Sequence, residues 1–143
     1  MSTHSIYDSN GYLLSQVCKR YRTLSDQRLE EIGLYRGQEL IICELWQQDG
    51  LTQSDLVERL MVQPSTLTNA LNSMEKAGLV QRRPDAQDQR VSRVYLMPLA
   101  YETWPQVKEV WDAIDAEAFG NLTLEERILL RRLLMQVNEN LAP

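Results

Sequence analysis

Residues 82–93, with the sequence RRPDAQDQRVSR, combine cationic and anionic side chains within one short segment. The charged residues are Arg82, Arg83, Asp85, Asp88, Arg90 and Arg93. The arginines predict an anionic partner, because guanidinium groups bind phosphate through several parallel N–H donors. The aspartates would repel that partner unless they orient the segment. In an extended strand, residues two apart share a face, so Asp88 is expected to bond one edge of the Arg90 guanidinium and leave donors free. Asp85, directly after Pro84, is expected to form a turn.

A second set of polar side chains precedes this segment, on one face of a predicted helix. The face carries Ser65, Thr68, Asn69, Asn72 and Lys76, opposite an apolar stripe of Leu67, Ala70, Leu71 and Met74. Short hydrogen-bonding side chains can approach base edges in a DNA groove, and a lysine suits phosphate. The alternative is an ordinary solvated helix face. The scarcity of acidic residues favours DNA binding over a solvated face, because Glu75 is the only carboxylate between Glu58 and Asp85.

The charge of the chain is unevenly distributed. The formal net charge of −5 argues against nucleic acid as a partner. Residues 59–93, however, carry six basic and three acidic residues, a local +3, whereas the rest of the chain carries 9 basic and 17 acidic residues, or −8. The basic residues that could contact phosphate are therefore confined to one segment.

Residue types that would support an enzyme are scarce. The single histidine, His4, lies near the N-terminus, so a histidine-activated nucleophile is not expected. The six glycines form no phosphate-binding loop, and the cysteines, Cys18 and Cys43, have no metal-ligand spacing. We therefore predict a protein that is not an enzyme and uses no cofactor or metal.

The composition is typical of a folded protein in a reducing compartment. No apolar run approaches the roughly 20 residues that span a bilayer, and the N-terminal residues do not resemble a signal peptide. Two cysteines within helical patterns favour a reduced, cytoplasmic protein without a membrane partner.

The elements that must position the polar residues follow in the order helix, helix, helix-turn-helix, β-hairpin, helix, helix. Their predicted ranges are 6–32, 37–50, 52–60, 64–78, the strands 79–83 and 92–97, 98–119 and 122–141. A near capping box at Thr52 and Asp55 and a second one at Thr123 and Glu126 predict two of the helix starts. Helix 37–50 is apolar almost all round and is expected to be buried.

Residues 50–96 resemble the winged helix-turn-helix core of the MarR family, the multiple-antibiotic-resistance regulators. The matching pieces are LTQSDLVERL, PSTLTNALNSMEKAGLVQR, the wing motif D-x-R at Asp88 and Arg90, and the strand VYL. The resemblance implies a fold that is mainly α with a small β-hairpin wing. It implies one domain over 1–143. Within it lie a winged core at 35–97 (helix-turn-helix about 53–76, wing about 79–97) and dimerisation helices at 5–34 and 98–143.

The resemblance also implies a function. It indicates a sequence-specific transcriptional regulator, a homodimeric repressor that binds a pseudo-palindromic operator in double-stranded DNA and is relieved by a small, aromatic effector. The recognition helix would enter the major groove and Arg90 the minor groove. The expected DNA-binding residues are Ser65, Thr66, Thr68, Asn69, Asn72, Lys76, Arg82, Asp88 and Arg90. No motif identifies effector-binding residues, although Tyr12, Tyr21, Trp46 and Trp104 could line a pocket.

Two alternatives stay open, and the chain departs from the family pattern at two places. Asn69 stands where the family often has arginine, which affects base preference, and LMPLA (residues 96–100) replaces the usual threonine and glycine after the wing. The first alternative is a winged-helix protein-interaction module without DNA binding. The second is a cysteine-based redox sensor, although Cys18-Lys19-Arg20 does not reproduce the pattern of the sensing branch.

Overall fold

The computed structural model describes residues 5–143, and His4 lies outside them. A short 3-10 helix, Ile6–Asp8, precedes the main elements. These are α1 Asn10–Glu30, α2 Gln38–Gln47, β1 Leu51–Thr52, α3 Gln53–Leu60, α4 Pro64–Lys76, β2 Val80–Pro84, β3 Ser92–Leu96, α5 Pro98–Phe119 and α6 Leu124–Leu141. The predicted mainly α fold with a wing is confirmed. The chain divides into two compact units between Trp111 and Asp112, within α5.

The helix-turn-helix forms because its capping residues begin and end the helices at the same positions as its apolar stripes. At the start of α3, Thr52 Oγ1 accepts the N–H of Asp55 at 3.0 Å, and Asp55 Oδ2 accepts the N–H of Thr52 at 3.1 Å. This reciprocal pair satisfies two N–H groups that the helix leaves free. Helix α4 begins with Pro64 at its first turn, and Gly78, with φ 78°, follows its end.

The core of the first unit is formed by α2–α5 and the sheet, together with Leu29 of α1 and Leu34. The largest buried side chains there include Ile42, Leu45, Leu56, Leu67, Leu71, Met74, Val80 and Val94. The apolar stripe predicted for α4 therefore faces the core, which leaves its polar face outward. Helix α2 is less buried than its composition predicts, because Trp46 is 43% exposed.

The sheet contains the predicted hairpin, formed by β2 and β3, and one further strand that was not predicted. It has three antiparallel strands in the order β1-β3-β2. Leu51 pairs with Val94 on one side of β3, and Arg82 pairs with Val94 on the other. A two-residue strand is too short for a period-2 pattern, and Thr52 is also the cap of α3, so β1 leaves no separate signal in the sequence.

Helix α1 begins later than its apolar pattern indicates. Ser9 Oγ accepts the N–H of Tyr12 at 3.1 Å, which caps the helix there. Near its C-terminal half, Asp26 accepts two hydrogen bonds from Arg36, at 3.0 and 2.6 Å, while Asp26 Oδ1 is buried and has no partner within residues 5–143.

A buried carboxyl lies at the first turn of α2. Glu39 is 2% exposed, and its Oε2 also has no partner within the described residues. Burial raises the pKa of Glu39 above its ordinary value, because a charged carboxylate loses its hydration there.

The second unit, from Asp112 onward, is the end of α5 followed by α6. The capping box predicted for α6 is present: Thr123 Oγ1 accepts the N–H of Glu126 at 3.2 Å, and Glu126 Oε2 accepts the N–H of Thr123 at 2.8 Å. A groove of about 570 Å³ is lined by residues of both helices, among them Phe119, Leu130 and Leu134. None of the described helices is long and apolar enough to cross a bilayer.

Candidate nucleic-acid interface

The outward face of α4 presents the polar residues that the sequence predicts. Ser65, Thr66, Asn69, Asn72 and Lys76 are exposed. Thr68 is half-buried, and its Oγ1 donates to the carbonyl of Pro64 at 3.0 Å, so its oxygen can still accept a hydrogen bond from a base. The helix thus offers both donors and acceptors on one face.

Arg90 is presented at the tip of the wing. Its side chain is 91% exposed, and that of Asp88 is 41% exposed. Asp88 Oδ1 accepts from Arg90 Nε at 3.1 Å, and Asp88 Oδ2 accepts from Arg90 Nη2 at 3.2 Å. The expected contact is present. Its expected cause was wrong, because a turn closed by the N–H of Val91 on the carbonyl of Asp88, at 3.0 Å, brings the two together instead of an extended strand.

The hydrogen bonds from Arg90 also affect the charge state of its partner. The Arg90 side chain and backbone N–H hold the pKa of the Asp88 carboxyl below its ordinary value. Asp88 is therefore ionised at neutral pH, and its carboxylate can only accept hydrogen bonds.

Asp85 forms the turn that the sequence predicts and also binds an arginine. Its Oδ2 accepts the N–H groups of Gln87 and Asp88, at 3.1 and 3.0 Å, and its own N–H donates to the carbonyl of Val91 at 2.8 Å. Its Oδ1 accepts from Arg93 Nε at 2.6 Å, which lowers the pKa of the Asp85 carboxyl.

Arg93 is a structural residue of the sheet. Besides its bond to Asp85, its Nη1 donates to the carbonyl oxygen of Gly50 at 2.8 Å. Gly50 precedes β1 and is 43 positions away in the chain, so spacing alone could not predict this contact. Arg93 therefore joins the wing to the corner between α2 and β1.

Arg82 joins the wing to α4. Glu75 Oε2 accepts from Arg82 Nε and Nη2 at 3.1 and 2.7 Å, and Glu75 Oε1 accepts the N–H of Arg82 at 3.1 Å. Arg82 Nη2 also donates to Asn72 Oδ1 at 2.6 Å. These bonds to Arg82 lower the pKa of Glu75. The sequence analysis did not predict Glu75 as a site residue. Its position as a lone carboxylate in a basic segment could have indicated that it binds one of the nearby arginines.

Arg83 is held against the sheet. Its Nε and Nη2 donate to Gln81 Oε1 at 3.1 and 2.8 Å, and its guanidinium carbon lies 4.8 Å from the centre of the Tyr95 ring. A guanidinium at this distance is attracted to the negative face of the ring. Arg90 is much more exposed than the two arginines that join the wing to other elements: its side chain is 91% exposed, against 24% for Arg82 and 38% for Arg93.

Of the aromatic residues considered for an effector pocket, Trp46 and Trp104 contact each other, whereas Tyr12 contacts Tyr7. Trp46 stacks on Trp104, with ring centres 5.3 Å apart, and contacts Tyr101 at a tilt of 52°, with ring centres 5.1 Å apart. Tyr12 instead packs edge-on against Tyr7 at 5.0 Å. Trp46, Tyr101 and Trp104 thus form one aromatic cluster on α2 and α5.

The cysteines do not form a disulfide, and no group of three metal-ligating side chains occurs within residues 5–143. Cys18 is exposed and Cys43 is half-buried. Burial raises the pKa of the Cys43 thiol, which lowers its thiolate fraction and its reactivity.

Comparisons with known proteins agree with this geometry. Residues 34–92 match the model of the MarR family. The chain is 22% identical over 128 residues to YybA, an HTH-type transcriptional regulator of Bacillus subtilis strain 168, covering 90% of this chain and 85% of YybA. It is 29% identical over 104 residues to the transcriptional regulator HosA of Escherichia coli O127:H6, covering 73% and 77%. The crystal structure of apo wild-type MarR from E. coli superposes with a TM-score of 0.79 at 25% identity, covering 90% and 96%.

Proposed function

We propose a specific function from the premise that residues 34–92 are a MarR-family domain and that the chain is a transcriptional regulator with a DNA-binding winged helix. In this proposal the chain is a homodimeric repressor, and a small ligand relieves its binding to the operator. The observation that carries the proposal is the exposed, carboxylate-held Arg90 at the wing tip, in the same chain as a helix, α4, with a polar outer face.

The proposed DNA contacts divide between the two parts of the winged core. Ser65, Thr66, Thr68, Asn69 and Asn72 of α4 would face base edges in the major groove, and Lys76 would face phosphate. Arg90, oriented by Asp88, would enter the adjacent minor groove, where the negative potential is strongest over A·T-rich sequence. Arg82 would add a phosphate contact through Nη1, which takes part in none of its hydrogen bonds within residues 5–143.

Homodimerisation is supported by apolar surface on the terminal helices. Members of this family bind DNA and work as dimers. The side chains of Ile6, Leu13 and Val17 are 70%, 58% and 48% exposed, and those of Ile128 and Leu129 are 62% and 50% exposed. Exposed apolar side chains of this kind mark an interface, and two copies would present two recognition helices to a pseudo-palindromic operator.

Effector relief is supported by the partly exposed aromatic group on α2 and α5. Trp46 and Tyr101 are 43% and 48% exposed, so the flat faces of an aromatic ligand could pack there. Relief would require the ligand to bind more tightly to a conformation whose recognition helices no longer match the half-sites. Without ligand, occupancy of the operator would block transcription.

The proposal is tested by fluorescence anisotropy with DNA from the region upstream of the protein's own gene and with unrelated DNA of equal length. We expect tighter binding to the former, and weaker binding when a panel of aromatic acids is added. No binding to either DNA at low salt would reject the repressor function and favour a protein-interaction module, for which the overall charge of −5 would be suited. Binding that no ligand alters would reject effector relief alone.

A further inference from the structure

A chain of hydrogen bonds ends on one side chain of the recognition helix. Glu75 holds the guanidinium of Arg82 through Nε and Nη2, at 3.1 and 2.7 Å. Arg82 Nη2 in turn donates to the amide oxygen of Asn72 at 2.6 Å. Asn72 and Glu75 belong to α4 and Arg82 to β2, so the network also joins the helix to the wing. With Lys76, these residues line an open hollow of about 380 Å³.

The bond to Arg82 restricts what Asn72 can offer to a base. A free asparagine pairs with adenine through both ends of its amide, accepting from N6 and donating to N7. Here Oδ1 already accepts from a cationic donor at 2.6 Å, and charge-assisted bonds of this length are the stronger class. Within the described residues Nδ2 has no partner, so its two N–H donors stay available.

The second lone pair of Oδ1 does not restore adenine pairing. The adenine amino group would have to approach Oδ1 beside the fixed guanidinium of Arg82. The N–H donors of the two groups would then lie close together and repel each other. Glu75 prevents Arg82 from moving aside, because it holds both the side chain and the backbone N–H of Arg82. The two N–H donors of Asn72 Nδ2 suit a base whose major-groove edge carries only hydrogen-bond acceptors. Guanine, with N7 and O6, is the best match.

We propose that Asn72 is a specificity-determining residue that contacts its base only as a hydrogen-bond donor and therefore prefers guanine to adenine. Arg82 and Glu75 are the positioning residues that keep the amide oxygen of Asn72 occupied. The inference rests on the proposed DNA binding of α4. It differs from that proposal because it concerns which base is preferred at one position of the site.

The test is selection from a pool of duplexes randomised across the binding site, sequenced before and after binding to the full chain. In the Asn72→Ala variant, the base preference should disappear at one position of the DNA site, and that position is the one contacted by Asn72. At that position the parent is expected to enrich guanine over adenine. Arg82→Met, which removes every guanidinium donor and keeps an apolar stem, is expected to shift the adenine-to-guanine ratio toward adenine by about fivefold or more.

Arg83→Met is the matched control. It removes the same charge from the neighbouring position of β2, but Arg83 bonds to Gln81 and packs on Tyr95 and has no contact with Asn72. We expect it to leave the base preference at this position unchanged, even if it weakens binding to all sequences. Glu75→Gln, which keeps an acceptor for the backbone of Arg82, is expected to give a smaller shift in the same direction as Arg82→Met.

Several results would overturn the inference while leaving the repressor proposal intact. These are a parent preference for adenine at the Asn72 position, no position affected by Asn72→Ala, or an unchanged ratio in a folded Arg82→Met. Circular dichroism and thermal unfolding establish folding, and if Arg82→Met does not fold, an unchanged ratio in Glu75→Gln has the same force. A parent that selects no sequence at all would reject the repressor proposal and this inference together.

Discussion

At the scale of the residue, the contact between Arg90 and Asp88 offers a reason why a carboxylate would assist the proposed binding to DNA. A free arginine loses about 2 kcal/mol of rotamer entropy when it is held in one geometry. The two bonds from Arg90 to Asp88, at 3.1 and 3.2 Å, hold the guanidinium before any partner arrives. The pair is neutral in sum, and its outward donors remain available to phosphate.

Asp88→Ala is therefore expected to weaken DNA binding, although it removes a negative charge. Arg90→Ala should weaken binding to the operator and to unrelated DNA alike, and in a dimer the log–log salt slope should fall in magnitude by roughly 2. Anisotropy titrations at several salt concentrations measure both. Glu58→Ala, which removes an exposed carboxylate from α3, is the control and should not weaken binding. Tighter binding by Asp88→Ala would contradict the orienting role.

Thr68 and Asn69 should contribute to sequence discrimination and little to general affinity. We expect Thr68→Ala or Asn69→Ala to cost about 1–3 kcal/mol on the operator for each lost base contact, and little on random DNA. Lys76→Ala should instead weaken binding uniformly, because a phosphate contact carries no sequence information. The same titrations distinguish them, and equal losses on both DNAs for the Thr68 and Asn69 variants would show that they make no base contact.

Glu39 gives a pH-dependent prediction. Because burial raises its folded-state pKa, its contribution to stability is fully present below the ordinary glutamate pKa of about 4.3 and is lost as the pH rises through the folded-state pKa. Glu39→Gln should therefore stabilise the fold at pH 7–8, on the order of 1 kcal/mol for a buried oxygen without a partner. The gain should disappear near pH 4. Urea unfolding at both pH values measures it, with exposed Glu58→Gln as the control; an equal gain at both would refute the burial argument.

At the scale of the element, β1 and the Gly50 corner hold the wing to the body of the winged core. The N–H of Gly50 donates to the carbonyl of Val94 at 3.0 Å, and its carbonyl accepts from Arg93. The φ of 73° lies in the left-handed region, and a Cβ at this position would lie 2.9 Å from Cε1 of Tyr95. Glycine is required here for two independent reasons.

Gly50→Ala is expected to destabilise the fold by more than Gly78→Ala does. Both positions have a left-handed φ, which costs a residue with a Cβ about 1–2 kcal/mol. A Cβ at Gly78 would meet nothing within 4 Å, whereas at Gly50 it would strike the Tyr95 ring and add roughly 1–3 kcal/mol. Chemical denaturation of the two variants isolates the ring contact. Equal losses would mean that Tyr95 moves aside at no cost.

Local signals predicted most of the elements, and long-range contacts account for what was not predicted. The capping box at Thr123 and the proline that opens α5 carry their information within a few positions, so those helix starts were predicted correctly. The strand β1 was not, because it exists only through its pairing with β3. Likewise, the arginines of residues 82–93 could not be sorted by role from spacing, because Arg93 depends on Gly50, 43 positions away. The proposed DNA contacts themselves remain predictions.

At the scale of the whole molecule, α6 has no buried residue and carries a row of apolar side chains on its surface. Leu133 and Leu134 are 43% and 44% exposed, and Met135 is 60% exposed. A chain that kept this surface in water would lose roughly 25 cal/mol for each Å² left uncovered, relative to one that buries it. Association with a second copy is the simplest way to cover it.

Leu133→Glu is expected to raise the dissociation constant of the dimer at least about tenfold, because a buried charge without a partner is costly. Gln136→Glu, which adds the same charge at an exposed polar position of α6, should have a much smaller effect. Sedimentation equilibrium measures both variants against the parent. A parent chain that is a folded monomer at micromolar concentration would reject the dimer.

The hydrogen bond from the N–H of Asp85 to the carbonyl of Val91, at 2.8 Å, separates the wing tip from the strands that support it. Below this bond the ladder of β2 and β3 is complete, and above it residues 86–90 form a loop of their own. Lengthening such a loop is inexpensive, since each doubling costs about 0.6 kcal/mol of closure entropy. Insertions among residues 86–90 can therefore change how far the tip reaches while leaving α4 undisturbed. In evolutionary terms, the reach of the wing tip and the base preference proposed for α4 can therefore change independently of each other.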